Sequence, residues 1–344
     1  MPRVVAVFTG GTISMTADAT AGGNIPTLSG AAILEHTPGL DAIATVTVVD
    51  LGRTPASHFR FGQLFEIAAA IERSAGEPGV DGVVLVQGTD TLDETAFFFD
   101  LVLSTEKPVV VTGAMRSASE PGYDGPANLR DAVACAASPA LREQGVVVVL
   151  GGTIHAADDV AKTHASSLTT FRSPDFGPLG VVERGHVSVA RHRAARRRVR
   201  TSRAADRVQI VTATVAMDGS MVDALHASGL DGLVVEATGA GNTDPGLLEA
   251  CRRLVEAGIP VVLVSRTGAG RVDTGYAFPG GGATWAASGV ILAGHLTGPK
   301  ARVALALGLG AGLDRAGLAQ LLADPWDVVP ASGVAGPLTE ESRP

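Results

Sequence analysis

Aromatic residues are scarce in this chain of 344 residues: they make up 4%, with two tryptophans and two tyrosines. Charge is thin as well, 18% in all, and the balance is acidic, 35 Asp and Glu against 27 Lys and Arg, for a net charge of −8. That balance argues against a nucleic-acid-binding surface as the main function, because such surfaces are basic. Only two cysteines occur, Cys135 and Cys251, far apart and both in stretches of helical pattern. With no CxxC and no Cys/His spacing, a metal site is not indicated, and a reducing compartment fits. Long hydrophobic runs are missing too. The apolar stretches are broken by Gly, Pro or charge, so no transmembrane helix is expected. The chain enters its first strand by residue 4, with no basic segment leading into an apolar one and a cleavage site, so no secretory signal is expected. These absences together predict a cytoplasmic protein that needs no cofactor and contacts neither membrane nor nucleic acid.

What is present is a core. The chain is 46% hydrophobic, which suits globular folding, and its length suits two domains. Two stretches share one design. The apolar run Val4–Phe8 ends in Thr9-Gly10-Gly11-Thr12-Ile13-Ser14, and the run Val83–Val86 ends in Gln87-Gly88-Thr89-Asp90-Thr91. Each predicts a buried strand that stops at a tight glycine turn. Ligands of open α/β sheets bind outside the carboxyl ends of the strands. Thr12 therefore presents a hydroxyl where a small substrate would sit, although Thr-Gly-Gly-Thr alone suits a plain strand-ending turn equally well. Thr91 with Glu94 fits a capping box that starts the next helix, which gives Thr91 a structural task. Thr89 and Asp90 have none, and two hydroxyls beside a carboxylate suit a polar ligand that resembles an amino acid.

The stretch Met15–Pro26 is small, polar and glycine-rich, and predicts a mobile loop beside the site or a plain surface connection. Strand patterns at Thr45–Asp50, Val83–Val86, Val109–Thr112 and Val146–Leu150 alternate with helical patterns from about Phe61 to Ser74, at Leu92–Leu103 and at Leu129–Ala137. Such alternation predicts βαβ units and a mainly parallel sheet. Asp124 and Asn128 sit in Asp-Gly-Pro turn chemistry at a helix start and are assigned structural roles. Gly151-Gly152-Thr153-Ile154 is assigned to a strand end. Lys162, in Ala161-Lys162-Thr163, suits a solvated surface charge, but it also follows a strand end close to the other site loops. Residues 191–203 carry a cluster of arginines with little to bury, and predict a solvated linker between domains. A second α/β unit starts near Val208, with strands at Gln209–Thr212, Gly232–Glu236 and Pro260–Ser265 and a late helix from Pro299 to Leu307. The turn Glu236–Pro245 lacks G-x-G-x-x-G and its acidic partner, so it is not a dinucleotide site. The tail after Pro330, rich in Gly, Ser, Pro and Glu, is expected to be frayed. The expected domains are 1–190, carrying the site loops, and 208–330, joined by the basic linker 191–207.

Thr9-Gly10-Gly11-Thr12-Ile13 and Gln87-Gly88-Thr89-Asp90-Thr91 together resemble the two signature motifs of the bacterial-type L-asparaginases, and the resemblance runs from Val4 to about Asp327. It implies an α/β fold with a larger N-terminal, mainly parallel-sheet domain and a smaller C-terminal parallel domain. It also implies an amidohydrolase that converts L-asparagine to L-aspartate and ammonia through a threonine acyl-enzyme. The alternatives are a broader asparaginase–glutaminase and a non-catalytic amino-acid-binding relative. By resemblance, Thr12 is the nucleophile, and Thr89, Asp90 and Lys162 form a second cluster. Asp90 and Ser57 hold the ammonium and carboxylate of the substrate, and Ala114 contributes a backbone contact. Asn242 of a neighbouring subunit completes each site, which implies a homodimer or homotetramer. Three positions depart from the family pattern. Asn24 stands about where the flap tyrosine falls, no acidic residue is evident near Gly282–Trp285, and His58 replaces a polar amide. Tyr123 lies in a helix-start turn and has a structural explanation. Tyr276, in a glycine-rich loop, is the candidate substitute for the flap tyrosine, supplied by a neighbouring subunit.

Overall fold

The computed structural model describes residues 1–326, and the tail after Pro330 lies outside them. The strands are β1 (Arg3–Phe8), β2 (Met15–Asp18), β3 (Gly23–Pro26), β4 (Thr45–Asp50), β5 (Gly82–Val86), β6 (Val109–Thr112), β7 (Val146–Leu150) and β8 (Thr153–Ala156). They continue as β9 (Ala161–Lys162), β10 (Phe171–Arg172), β11 (Gly180–Glu183), β12 (His186–Val189), β13 (Val208–Thr212), β14 (Gly232–Ala237), β15 (Val261–Ser265) and β16 (Ile291–Leu292). The helices are α1 (Gly30–Glu35), α2 (Phe61–Gly76), α3 (Leu92–Val102), α4 (Gly125–Ala136), α5 (Ser220–Ala227), α6 (Pro245–Glu256), α7 (Gly282–Ala287), α8 (Gly298–Gly310) and α9 (Arg315–Leu322).

The large sheet has the order β12-β11-β8-β7-β6-β5-β1-β4. Its centre from β4 to β7 is parallel, and β8, β11 and β12 pair antiparallel at one edge. Val-rich strands with both faces buried are what a parallel sheet covered by helices requires. Val5, Val7, Val83 and Leu85 face α2 and α3, while Val4, Ala6, Val84 and Val86 face α4 and α1. The chain leaves β1 toward α1 on one face and leaves β5 toward α3 on the other. Adjacent strands whose connections part in this way open a crevice at their carboxyl ends. The smaller sheet, β13-β14-β15-β16, is parallel throughout. Architecture therefore follows the expectation: a larger, mainly parallel α/β domain and a smaller parallel one.

Helix α8 explains how the two domains meet. Its sequence, GPKARVALALGLG, is apolar nearly all round, and such a helix must be buried on all sides. It packs against α3 of the N-terminal domain and against β13, β14 and β15 of the C-terminal sheet, so one apolar core runs through both domains. Cys135 and Cys251 lie in separate cores, on α4 and α6, and burial pushes both thiols up to about 12. They are free and inert.

Two expectations fail here. The arginines of 191–203 were expected in solvent, but Arg193, Arg196 and Arg197 have side chains only 5%, 7% and 4% exposed. Arg193 bonds Asp100 at 2.9 Å and Asp158 at 2.6 Å, Arg196 bonds Asp100 at 2.9 Å, and Arg197 bonds Asp324 at 2.9 Å. Composition misleads because a guanidinium can be buried when carboxylates meet its fork, and those carboxylates come from elements far away in sequence. The stretch Met15–Pro26 is not a structureless loop either. It folds as the hairpin β2–β3, with Asp18 accepting from the N–H groups of Thr20 and Ala21 in its turn.

Burial by itself would raise the pKa of Asp100, but Arg193 and Arg196 more than reverse this and hold the carboxyl below its ordinary 3.8. The two arginines shift oppositely, Arg193 up and Arg196 down, because Arg193 has a second carboxylate in Asp158. Both stay charged, since a guanidinium does not lose its proton in a protein. A depressed carboxyl contributes stability that is present above its unfolded pKa and lost as pH falls through its folded one. Asp100→Asn is therefore expected to cost about 3–5 kcal/mol at pH 7 in urea unfolding, as breaking a buried pair does. The variant should also lose less stability than the parent between pH 4 and lower pH. A cost under about 1 kcal/mol would show that the network holds little.

Candidate active site

Four loops meet at the carboxyl ends of the central strands. After β1, Gly10 and Gly11 take φ of 105° and 95°, which side chains disfavour. A Cβ at Gly11 would lie 2.3 Å from the nitrogen of Gly88, so the loops after β1 and β5 touch main chain to main chain. Gly88 in turn packs against Ala56, whose Cβ would lie 3.0 Å from one on Gly88, which brings in the short 3-10 turn Ala56–His58. The fourth loop, after β6, packs Gly113 against Gln87 and Thr89. Thr12, Thr89, Ser57 and Ala114 each adjoin one of these contact points.

Thr12 opens a 3-10 turn, Thr12–Ser14, and is partly exposed. Ser14 closes that turn, its N–H and hydroxyl both donating to the Gly11 carbonyl at 2.9 and 2.7 Å. Tyr123 holds it from the other side, its hydroxyl donating to the Ile13 carbonyl at 2.6 Å. Burial first, then Asp124, pushes the Tyr123 pKa up to about 12, so the phenol remains a donor at neutral pH. Sequence reasoning gave Tyr123 only a helix-start role. Its reach to the Thr12 turn, 110 residues away, had no signal in the local pattern.

Thr89, Asp90 and Lys162 come together. Lys162 Nζ donates to Thr89 Oγ1 at 3.1 Å and to Asp90 Oδ1 at 2.9 Å. Thr89 is buried, at 4% exposure, whereas the Asp90 side chain is 72% exposed and free to meet a ligand. Lys162 lies on β9, which pairs with β10, and its own N–H donates to Asp93 Oδ2 at 3.1 Å. Asp93 is a positioning group that the sequence reading missed, since an acidic residue in the first turn of a helix suits the helix dipole without any partner.

Asp124 and Asn128 have the structural roles expected. The Asp124 carboxylate accepts from the N–H groups of Met115 and Arg116, and Asn128 donates to Gly113 O and accepts from Gly151 N. They thereby fix the loop that carries the fully buried Ala114. Gly151 and Gly152 form the tight turn between β7 and β8, so the Thr-like segment there is a strand end, as assigned.

The capping box at Thr91 does not form. Thr91 stands at the N-cap, but its hydroxyl donates to the Ala56 carbonyl at 3.1 Å and makes no cap bond. It ties the start of α3 to the loop of Ser57 instead. Glu94, left without that role, lines a cavity of about 650 Å³ with Ser57, Arg60, Asp206 and Arg302. Burial, then Asp93, raises its pKa, and Arg302 opposes the shift. Thr12, Thr89 and Lys162 do not line this cavity, which is a neighbour of the cluster.

Asn242 belongs to the C-terminal domain, where its backbone pairs with Thr238 and its Oδ1 is buried without a partner among the described residues. No hydrogen bond among the described residues links it to the cluster. Tyr276 is 48% exposed beside Phe278 on the same domain. Of the departures, His58 is exposed next to Ser57, and Asn24 pairs with Ala17 in the hairpin. No group of three or more metal-ligating side chains is present among the described residues, and no helix among them is long and apolar enough to cross a membrane.

Comparison with known proteins agrees with this geometry. The family model "Asparaginase, N-terminal" matches residues 3–195, and "Glutaminase/Asparaginase C-terminal domain" matches residues 207–322. A probable L-asparaginase of Deinococcus radiodurans is 37% identical over 327 residues, spanning 92% of this chain and 95% of its own. The L-asparaginase of Bacillus licheniformis is 33% identical over 305 residues, spanning 89% of this chain and 94% of its own. The crystal structure of a probable cytoplasmic L-asparaginase from Campylobacter jejuni superposes with a TM-score of 0.81 at 29% identity, covering 93% of this chain and 98% of its own. Two matched domains and relatives of this similarity along almost the whole length place the chain in the bacterial-type L-asparaginase family.

Proposed function

We propose that this protein hydrolyses the side-chain amide of L-asparagine, giving L-aspartate and ammonia. The observation that carries the reading is the bonding of Lys162 Nζ to both Thr89 and Asp90, on a loop whose backbone touches the turn of Thr12. A threonine hydroxyl is a weak nucleophile until a neighbouring base takes its proton. Thr12 Oγ attacks the amide carbonyl while its proton passes by way of the Thr89 hydroxyl to Lys162, which takes it up as the neutral amine. The tetrahedral intermediate collapses to an ester on Thr12, and the amide nitrogen leaves as ammonia, carrying that proton. Water then hydrolyses the ester, freeing aspartate and returning a proton to Thr12. Asp90, exposed and anionic, pairs with the α-ammonium, and Ser57 with the α-carboxylate. Ala114 lends its backbone near the leaving amide.

In this reading Asn242 of the partner subunit completes the site, so the working form is a homodimer or homotetramer, in the cytoplasm and without cofactor. The second reading is a broader amide range extending to glutamine, since His58 stands exposed beside Ser57 where the resemblance implies a polar amide that touches the substrate.

Ammonia release from L-asparagine, L-glutamine and D-asparagine decides among these readings. L-asparagine is expected to be the best substrate, and no release from any of the three would end the proposal. Asp90→Asn should raise KM strongly with a smaller effect on kcat, because a charge-assisted bond to an ammonium is lost. Lys162→Met should lower kcat with little change in KM, as loss of a group that acts in the transition state does. An intact kcat would make Lys162 a surface ion pair only. Tyr123→Phe removes the donor to Ile13 and should lower kcat roughly tenfold through misplacement of Thr12. Tyr276→Phe is the control that distinguishes a phenol supplied by a partner subunit. If Tyr276→Phe alone lowers kcat, the role lies there and not with Tyr123.

A further inference from the structure

Lys300 lies in the second position of the Pro299-Lys300-Ala301-Arg302 run on α8, and it is 2% exposed. The chain has only three lysines, Lys107, Lys162 and Lys300, and carries the rest of its positive charge on arginine. A buried ammonium is costly unless it is fully partnered, and an apolar side chain of equal size would pack the same space at lower cost. Its partners are therefore informative. Lys300 Nζ donates to the carbonyls of Asp158 at 2.9 Å and Val160 at 2.6 Å, crossing from the C-terminal domain to the N-terminal one. Those carbonyls belong to the segment that runs directly into β9 and Lys162.

We propose that Lys300 is a positioning residue for the active site, holding across the domain boundary the segment that presents Lys162 to Thr89 and Asp90. The inference rests on the asparaginase reading and deepens it. The segment is held at two places. Lys300 takes the carbonyls of Asp158 and Val160, and Asp93 accepts the N–H of Lys162. Asp93 stands on the first turn of α3, directly after the Thr89-Asp90 pair. The position of Lys162 relative to Thr89 and Asp90 is thus set by α3 on one side and α8 on the other, and these two helices pack together.

The surroundings suit a fixed ammonium. Burial lowers its pKa, and the carboxylates of Asp93, Asp158 and Asp159 push back, with Arg197 opposing them. Its Nζ also lies 6.0 Å from the ring centre of Phe97. His155 nearby is kept neutral, since burial and then the Lys300 charge push its pKa down to about 4. A compact ammonium fits between two carbonyls, whereas the planar fork of a guanidinium is built for carboxylates. Other contacts hold the joint away from the site: α8 packs on α3, and Arg197 in the linker bonds the carbonyl of Ala323 and the carboxylate of Asp324. The two domains therefore stay joined without Lys300, and what Lys300 adds is the placement of residues 158–162.

The test uses the full-length protein and four forms: the parent, Lys300→Met, Asp93→Ala and Arg197→Met. Lys300→Met is expected to lower kcat for L-asparagine on the order of 10- to 100-fold, the effect of misplacing a reacting group by a fraction of an ångström to an ångström. KM should stay within about threefold, because ground-state contacts are intact. Asp93→Ala should act in the same direction, and Arg197→Met should lower the melting temperature without that loss of kcat. Amide exchange of residues 157–163 should quicken in Lys300→Met and not in Arg197→Met. A folded Lys300→Met with the parent's kcat, or an equal loss of kcat in Arg197→Met, overturns the proposal. If Lys300→Met does not fold, Asp93→Ala decides, and an unchanged kcat there overturns it. If the parent releases no ammonia from L-asparagine, the asparaginase reading fails separately. Exchange at 157–163 then judges the positioning, and unchanged exchange in Lys300→Met rejects it.

Discussion

The main chains of Gly11 and Gly88 touch, and no side chain larger than hydrogen fits between them. That contact joins the ends of β1 and β5, the adjacent strands whose connections leave on opposite faces of the sheet. Ala56 and Gly113 close on the same point from either side, so four loops share one small volume. The loops that carry Thr12 and Thr89 are brought together by backbone packing. Loops fixed main chain to main chain leave little room for these residues to shift.

A second constraint lies at the domain boundary. Helix α8 supplies an apolar joint between α3 and the C-terminal sheet, while buried ions surround that joint. Arg193 and Arg196 converge on Asp100, Arg197 reaches Asp324, and Asp324 also bonds His295 at 2.7 Å. An apolar joint by itself allows sliding, because hydrophobic contact is not directional. Forked, charge-assisted bonds are directional: Arg193 and Arg196 tie the linker to the N-terminal domain, and Arg197 ties it to the C-terminal one through Asp324. Lys300 uses the same boundary to reach the carbonyls of Asp158 and Val160, in the segment that leads into the strand of Lys162.

The hairpin of β2 and β3 shows how local composition and tertiary context divide the work. Small and polar residues bury little, so the pattern of Met15–Pro26 reads as a loop. The structure pairs it as strands because neighbouring segments supply partners. Ala17 N–H donates to Ser119 Oγ at 3.0 Å, and Ala118 N–H donates to the Met15 carbonyl at 3.0 Å. A phenol likewise reaches the Thr12 turn from Tyr123, at the end of that same 117–123 segment, and not from the hairpin itself.

Sequence by itself determined the parallel core strands, most of the helices and the α/β class, but not the β2–β3 hairpin or the short strands β9 to β12 and β16, because Val-rich runs ending in glycine suit buried parallel strands. It also placed the candidate residues: Thr12, Thr89, Asp90 and Lys162 stand at strand ends or close after them, where side chains of such sheets meet ligands. Tertiary structure decided the rest. The burial of Arg193, Arg196 and Arg197 depends on carboxylates as far off as Asp100 and Asp324. Thr91 gave up its capping box because the Ala56 carbonyl lay within reach, and Tyr123 and Lys300 found their partners 110 and 140 residues away. Periodicity and turn chemistry report on neighbours along the chain, whereas a polar side chain settles on whichever donor or acceptor folding brings within 3 Å of it.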